Sequence, residues 1–212
     1  MKKAFIVLAF VAALFITEKA QAQLNLYAGY TPEIMNTKAP SYDTTLFFHG
    51  FNFGISWNFS LYKNLCLTAG AQYRMNLRDS AKHYWAGSIF IHDLTKERQM
   101  SIDIPILLKY SIPAGETVTF SPFVGPMLSW GINGKTSETT TFPLNHESQR
   151  EWYGENGYMN RFNVYAMAGI EMDIKHFFVS LGGRYGFLNL YKLNATTTTK
   201  SYGFFINFGH TF

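Results

Sequence analysis

FNFGISWNFS, Phe51 to Ser60, alternates without a fault: every odd position is large and apolar, every even position small or polar. Successive side chains of a strand point to opposite faces, so a period of two makes this stretch one strand with a greasy face and a wet one. The same reading gives seven more segments: Leu24 to Tyr30, Leu65 to Leu77, Met100 to Ile112, Val118 to Ile132, Phe162 to Ile174, Phe177 to Phe187 and Tyr202 to Phe212. Most match the roughly 9–11 residues that a tilted strand needs to cross a bilayer. Ordinary strands average about five or six.

Charge divides by face. The apolar parity of the eight segments carries no Asp, Glu, Lys or Arg, and His210 is its one ionisable side chain outside tyrosine. The opposite parity carries Arg74, Asp103, Lys109, Glu171, Asp173 and Arg184.

The opening of the chain has the three parts of a secretory signal peptide: basic Met1-Lys2-Lys3, an apolar run from Ala4 to Ile16, and Ala20-Gln21-Ala22 before an expected cut. That division leaves residues 1–22 as a leader and 23–212 as one domain. Without Lys2, Lys3, Lys19 and Glu18 the domain holds 15 basic against 13 acidic residues, a balance that gives no electrostatic case for a nucleic-acid partner. The sole cysteine, Cys66, cannot close a disulfide within the chain, so an exported protein must be held together otherwise.

Alternation alone leaves the direction of the greasy face open, since a lipocalin-like soluble barrel alternates with apolar side chains lining its cavity. Connection lengths bear on the choice. The second, fourth and sixth segments are followed by short turns, near Tyr62-Lys63-Asn64, Pro113-Ala114-Gly115 and Lys175-His176. The others are followed by longer links, the largest from Asn133 to Arg161. Short turns on one side and long loops on the other is the layout of outer-membrane barrels. In that layout Phe59, Tyr110, Phe120, Phe177 and Phe212 fall at one rim and Tyr30, Tyr73, Trp130, Tyr185 and Tyr202 at the other, as two interfacial girdles. The expected fold is therefore an all-β, eight-stranded antiparallel up-and-down transmembrane β-barrel in the outer membrane, with both termini periplasmic.

The last segment, with Tyr202, Phe204, Ile206, Phe208 and Phe212 on its apolar parity, resembles the C-terminal signal by which the outer-membrane assembly machinery recognises its clients. Further stretches resemble the PorT-like family of small outer-membrane β-barrel proteins common in Bacteroidetes. They are Ser101 to Tyr110 (SIDIPILLKY), Phe123-Val124-Gly125-Pro126 and Leu181 to Leu190 (LGGRYGFLNL), besides the terminal strand. The resemblance implies an outer-membrane location and an eight-stranded barrel, and no particular activity.

An eight-stranded barrel is just wide enough for side chains to fill. Arg74, Lys109 and Arg184 facing Asp103, Glu171 and Asp173 are accordingly expected to form cross-lumen ion pairs that plug it. Pro105 cannot donate to a sheet ladder, which predicts a bulge beside it. Aromatic residues in the long links, Tyr84, Trp85, Trp152 and Tyr153 among them, are candidate contacts for a protein partner outside the cell or in a secretion apparatus, or else strand extensions and caps. The histidines show no metal-ligand spacing, and no cofactor or catalytic set stands out. The expected role is non-enzymatic: structural, adhesive or assembly-related. The alternatives are a small-solute channel or secretion accessory, a secreted lipocalin-like binding barrel, and a lipid A-modifying barrel enzyme.

Overall fold

The computed structural model describes residues 23–86, 89–141, 146–193 and 195–212, and the expected leader lies outside them. Its elements are all strands: β1 (Gln23–Tyr30), β2 (Glu33–Ala39), β3 (Tyr42–Tyr62), β4 (Leu65–Ala86), β5 (Ile89–Tyr110), β6 (Ile112–Pro113), β7 (Val118–Thr141), β8 (His146–Glu151), β9 (Phe162–Ile174), β10 (Phe177–Gly186) and β11 (Thr198–Thr211). β1 and β2 are one stave interrupted at Thr31-Pro32. Both pair with β3 on one side and with β11 on the other, and one register runs through the break. The ring continues through β4, β5, β7, β9 and β10 back to β11, every pairing antiparallel, while β6 and β8 are short additions to β7.

This is an eight-stranded antiparallel barrel. Followed once around the ring from Asn25, the register returns to the first stave at Met35, ten residues further on, the stagger that strand tilt imposes on a closed sheet. Closure leaves no unpaired edge, which is what lets a sheet stand in hydrocarbon.

The side chains are sorted inside out. Phe53, Val124, Leu181 and Phe208 point away from the axis and are each more than half exposed, whereas Glu33, Arg74 and Asp103 are buried at 0–1%. A water-soluble monomer rarely bares a continuous apolar belt of this kind. The lipocalin-like reading, with a greasy lumen and a wet exterior, is thereby overturned.

The staves are longer than the alternation indicates. β4 and β5 run 22 residues each and β7 runs 24, about twice the length needed to cross. Their far ends form an extended rim opposite the end that holds Gln23 and Phe212. There both faces of the sheet leave the apolar layer, so alternation fades and cross-strand ion pairs such as Arg78 with Glu97 take over.

The bulge lies elsewhere than at Pro105. No register shift occurs there; the ladder is gapped opposite Gly70 and Ala71 on β4 and opposite Gly125 and Pro126 on β7, and Lys109 keeps its inward parity. Pro122 and Pro126 likewise leave the β7–β9 register unbroken. The extra residue is Ile132, where β5 and β7 slip between Met100 and Ser101.

Leu181 faces outward at mid-strand, paired with Ile170 and Ile206. Leu181→Arg is expected to cost about 2–4 kcal/mol, the depth-dependent penalty at a bilayer midplane, read from urea unfolding in phospholipid vesicles.

Candidate functional site

The lumen is built in layers, and from the terminal end the first is a polar vestibule. A cavity of about 440 Å³ opens there, with Lys109, Glu171, Asp173 and Cys66 among its lining residues. Lys109 Nζ donates to Glu171 Oε1 at 2.6 Å, and Ser121 donates weakly to Asp173 at 3.4 Å.

An apolar belt follows, in which Leu107, Phe123, Met127, Met167 and Phe205 meet across the barrel. Only about 40 Å³ stays open around it. These residues share the parity of the lumen charges, so the plug is apolar at this level, where only ion pairs were expected. A wall of glycines and serines leaves room at this level that only bulky side chains fill.

Above the belt lies the central ion cluster. Arg74 Nε donates to Asp103 Oδ2 at 2.7 Å, while its Nη1 pairs with Glu33. Arg184 Nη2 donates to Glu33 Oε2 at 3.3 Å and to the Thr31 carbonyl at 3.2 Å. That carbonyl belongs to the break before Pro32, which turns the backbone toward the lumen. Tyr165 donates its hydroxyl to Glu33 Oε1 at 2.9 Å, and its ring lies 5.8 Å from the Arg74 guanidinium and 5.7 Å from that of Arg184. Ser101 and Ser129 donate to Asp103 Oδ1, and Gln72 to Oδ2.

The six charges expected to meet therefore form two groups. Arg74, Asp103 and Arg184 belong to the central cluster, while Lys109, Glu171 and Asp173 stay below the belt, so Asp103 does not pair with Lys109. Glu33, which completes the cluster, escaped the sequence reading because Pro32 ended the first segment before it. Extending the inward parity of Asn25, Tyr27, Gly29 and Thr31 by two residues would have found it.

Of the two readings open for Trp152 and Tyr153, partner contact or cap, the structure has the cap. They are 2% and 5% exposed, so they do not offer themselves to a partner. After β8 the chain dives into the extended mouth, where both rings pack with Met35, Phe48, Met159 and Leu190 as a stopper. The bulge at Ile132 makes this possible by turning both Gly131 and Gly134 inward. A Cβ at Gly131 would come 2.4 Å from the Tyr153 ring, and one at Gly134 would come 2.7 Å from the Trp152 Cβ. Trp152 Nε1 donates to Thr136 Oγ1 at 2.7 Å. Gln99 Nε2 donates to the Tyr153 hydroxyl at 2.8 Å, Asn76 donates to Gln99, and Asn76 also donates to Glu33, so stopper and ion cluster form one network. Burial pushes the Tyr153 and Tyr158 phenols up to about 12, which keeps both neutral at physiological pH.

Tyr84 and Trp85 lie on the extension of β4, both exposed, and Tyr84 donates to Asp93 Oδ2 at 3.0 Å. Above the stopper a cup of about 510 Å³ opens at the extended rim. Among the described residues no three His, Cys, Asp or Glu side chains gather as a metal site would require.

An outward apolar belt, girdled rims and a filled lumen describe a barrel made for lipid, and residues 21–192 match the family model of the outer membrane protein beta-barrel domain. The chain belongs to that family. Like other outer-membrane barrels it has distant structural neighbours. Ail, the attachment invasion locus protein of Yersinia pestis, solved with the heparin analogue sucrose octasulfate, is 14% identical, with 90% of this chain and 99% of Ail covered and a TM-score of 0.45. Neisserial surface protein A is 13% identical over 88% of this chain and 97% of its own, with a TM-score of 0.37. The Escherichia coli outer membrane protease OmpT is 8% identical over 93% and 99%, with a TM-score of 0.35. No curated protein matches this barrel in sequence.

Arg74 is the keystone of the cluster. Arg74→Met leaves Glu33 and Asp103 short of a buried partner and is expected to destabilise the barrel by about 3–5 kcal/mol. Arg98→Ala, which breaks only the exposed 3.9 Å pair with Asp79, is expected to cost at most about 1 kcal/mol by the same denaturant titration in vesicles.

Proposed function

We propose that this outer-membrane barrel is a non-enzymatic surface protein whose lumen is closed and whose extended rim is the working face. The observation that carries the reading is the unbroken stack of stopper, ion cluster and apolar belt, in which Glu33, Arg74, Asp103 and Arg184 are spent on one another. A general acid or base must reach a proton on substrate; here Glu33, Asp103, Arg74 and Tyr165 are buried and each bonded to several protein groups. In this reading the extended strands stand in the extracellular space and both termini lie in the periplasm. Tyr84 and Trp85 are then surface contacts for a protein partner in an adhesive, structural or assembly role. The outward row Tyr202, Phe204, Ile206, Phe208 and Phe212 serves the outer-membrane assembly machinery. The stretches around Ser101 to Tyr110 and Leu181 to Leu190 favour a place among the PorT-like barrels of Bacteroidetes, where a secretion apparatus is a further candidate partner.

Two measurements test this. In planar bilayers the purified barrel is expected to show no steady conductance; a large, stable open level would instead make it a small-solute channel. On intact cells a membrane-impermeant maleimide is expected to label a Trp85→Cys variant at once and an Asn64→Cys variant only after the outer membrane is permeabilised. The reverse order would invert the topology.

A further inference from the structure

The cup at the extended rim has walls of distinct chemistry. Its volume, about 510 Å³, falls within the roughly 300–1,000 Å³ of small-molecule sites. Its floor is the apolar stopper, of which Met35, Phe48, Trp152 and Met159 border the cup. One wall is a row of hydroxyls: Thr44, Thr37 and Thr199 stand side by side on β3, β2 and β11, with Thr37 and Thr199 Oγ1 atoms 2.9 Å apart. β7 stands across the ring from β2, and Tyr158 lies on its side, its hydroxyl 3.3 Å from Thr136 Oγ1.

The charges around the cup cancel. Glu97 is held by Arg78, and Glu138 on β7 and Arg150 on β8 add one charge of each sign to the lining; Arg150 stands opposite Thr136, its guanidinium 6.0 Å from the Tyr158 ring. An anionic ligand would need a surplus of cations here, and a hard metal ion would need uncommitted carboxylates. An acyl chain would need a closed apolar cavity, where a row of hydroxyls stands instead.

A sugar ring fits what is left. Its edge is a ring of hydroxyls that can exchange hydrogen bonds with the threonine row, and its faces carry slightly positive C–H groups that suit the negative faces of aromatic rings. We propose that the cup binds a short neutral saccharide, with the half-buried Thr37 and Thr44 addressing its hydroxyls and Tyr158 its C–H face, while Thr199 and Trp152 hold those groups in place from behind. The biological setting rests on the surface orientation proposed above, whereas the binding does not.

The test uses the purified barrel in detergent micelles, titrated with glucose, galactose, N-acetylglucosamine and maltose. Saturation-transfer NMR reports the ligand, and the fluorescence of Trp152 in a Trp57→Phe, Trp85→Phe, Trp130→Phe variant reports the floor of the cup. At least one sugar is expected to bind with a Kd of about 1 mM or tighter. Thr37→Val, which keeps the shape and removes the hydroxyl, is expected to weaken it about tenfold, and Tyr158→Ala to abolish it. Both variants are checked for an intact barrel by their heat-dependent shift on gels. Failure of all four sugars overturns the proposal, as does equal binding by folded Thr37→Val and Tyr158→Ala, or a preference for sucrose octasulfate or a fatty acid. Binding without surface labelling at position 85 would overturn the orientation alone, and labelling without binding would overturn the saccharide alone.

Discussion

Glu33 and Asp103 sit where water does not reach, on staves separated by β3 and β4, and the Arg74 side chain bridges them from β4. Taking such groups out of water costs several kcal/mol per ion unless partners of opposite charge and enough hydrogen bonds stand ready. The neighbouring residues read as answers to that cost. Arg184 supplies the second cation, Tyr165 lays its ring against both guanidinium groups while donating to Glu33, and Ser101, Ser129 and Gln72 saturate Asp103. Six of the eight staves, the first of them at its break at Pro32, are tied together through these few atoms. Replacing any one partner by an apolar residue strands another, so the cluster also fixes which strands stand opposite which.

The apolar belt and the stopper bracket that cluster and make its isolation from water complete. A lumen filled only with polar groups would admit water between them and weaken each pair by raising the local dielectric. Leu107, Phe123, Met167 and Phe205 on one side and Trp152, Tyr153 and Phe48 on the other remove that water. The outward face follows a simpler logic, because there the solvent is hydrocarbon and large apolar side chains satisfy it wherever they fall.

Much of this was legible in the sequence because the bilayer imposes strict alternation on whatever crosses it. FNFGISWNFS and seven similar stretches gave the strand count, the outward face and the inward parity of Arg74, Asp103, Lys109, Glu171, Asp173 and Arg184. The reading failed where that constraint lapses. Past the apolar layer both sheet faces are wet, so the long ends of β4, β5 and β7 read as loops. Pro32 masked the continuation of the first stave and with it Glu33. Pairing across a lumen depends on height along the axis, which strand tilt determines and local pattern does not, so six charges expected to plug the lumen together divide into two groups. Trp152 and Tyr153 looked like exposed loop aromatics because nothing near them in sequence reveals the glycine seats on β7. Those seats exist only because of one unpaired residue, Ile132, whose effect appears when two strands are laid side by side.

The stopper gathers Met35 and Phe48 from the start of the chain with Trp152, Met159 and Leu190 from near its end. Met35 and Phe48 stand on β2 and β3, and the other three in the links that follow β8 and β10. Contacts this distant in sequence carry a loop-closure cost, so the mouth can seal only once the staves between them are in place. Until then an assembling molecule would leave a leaky seam in the membrane, and watertightness arrives as the final act of its maturation.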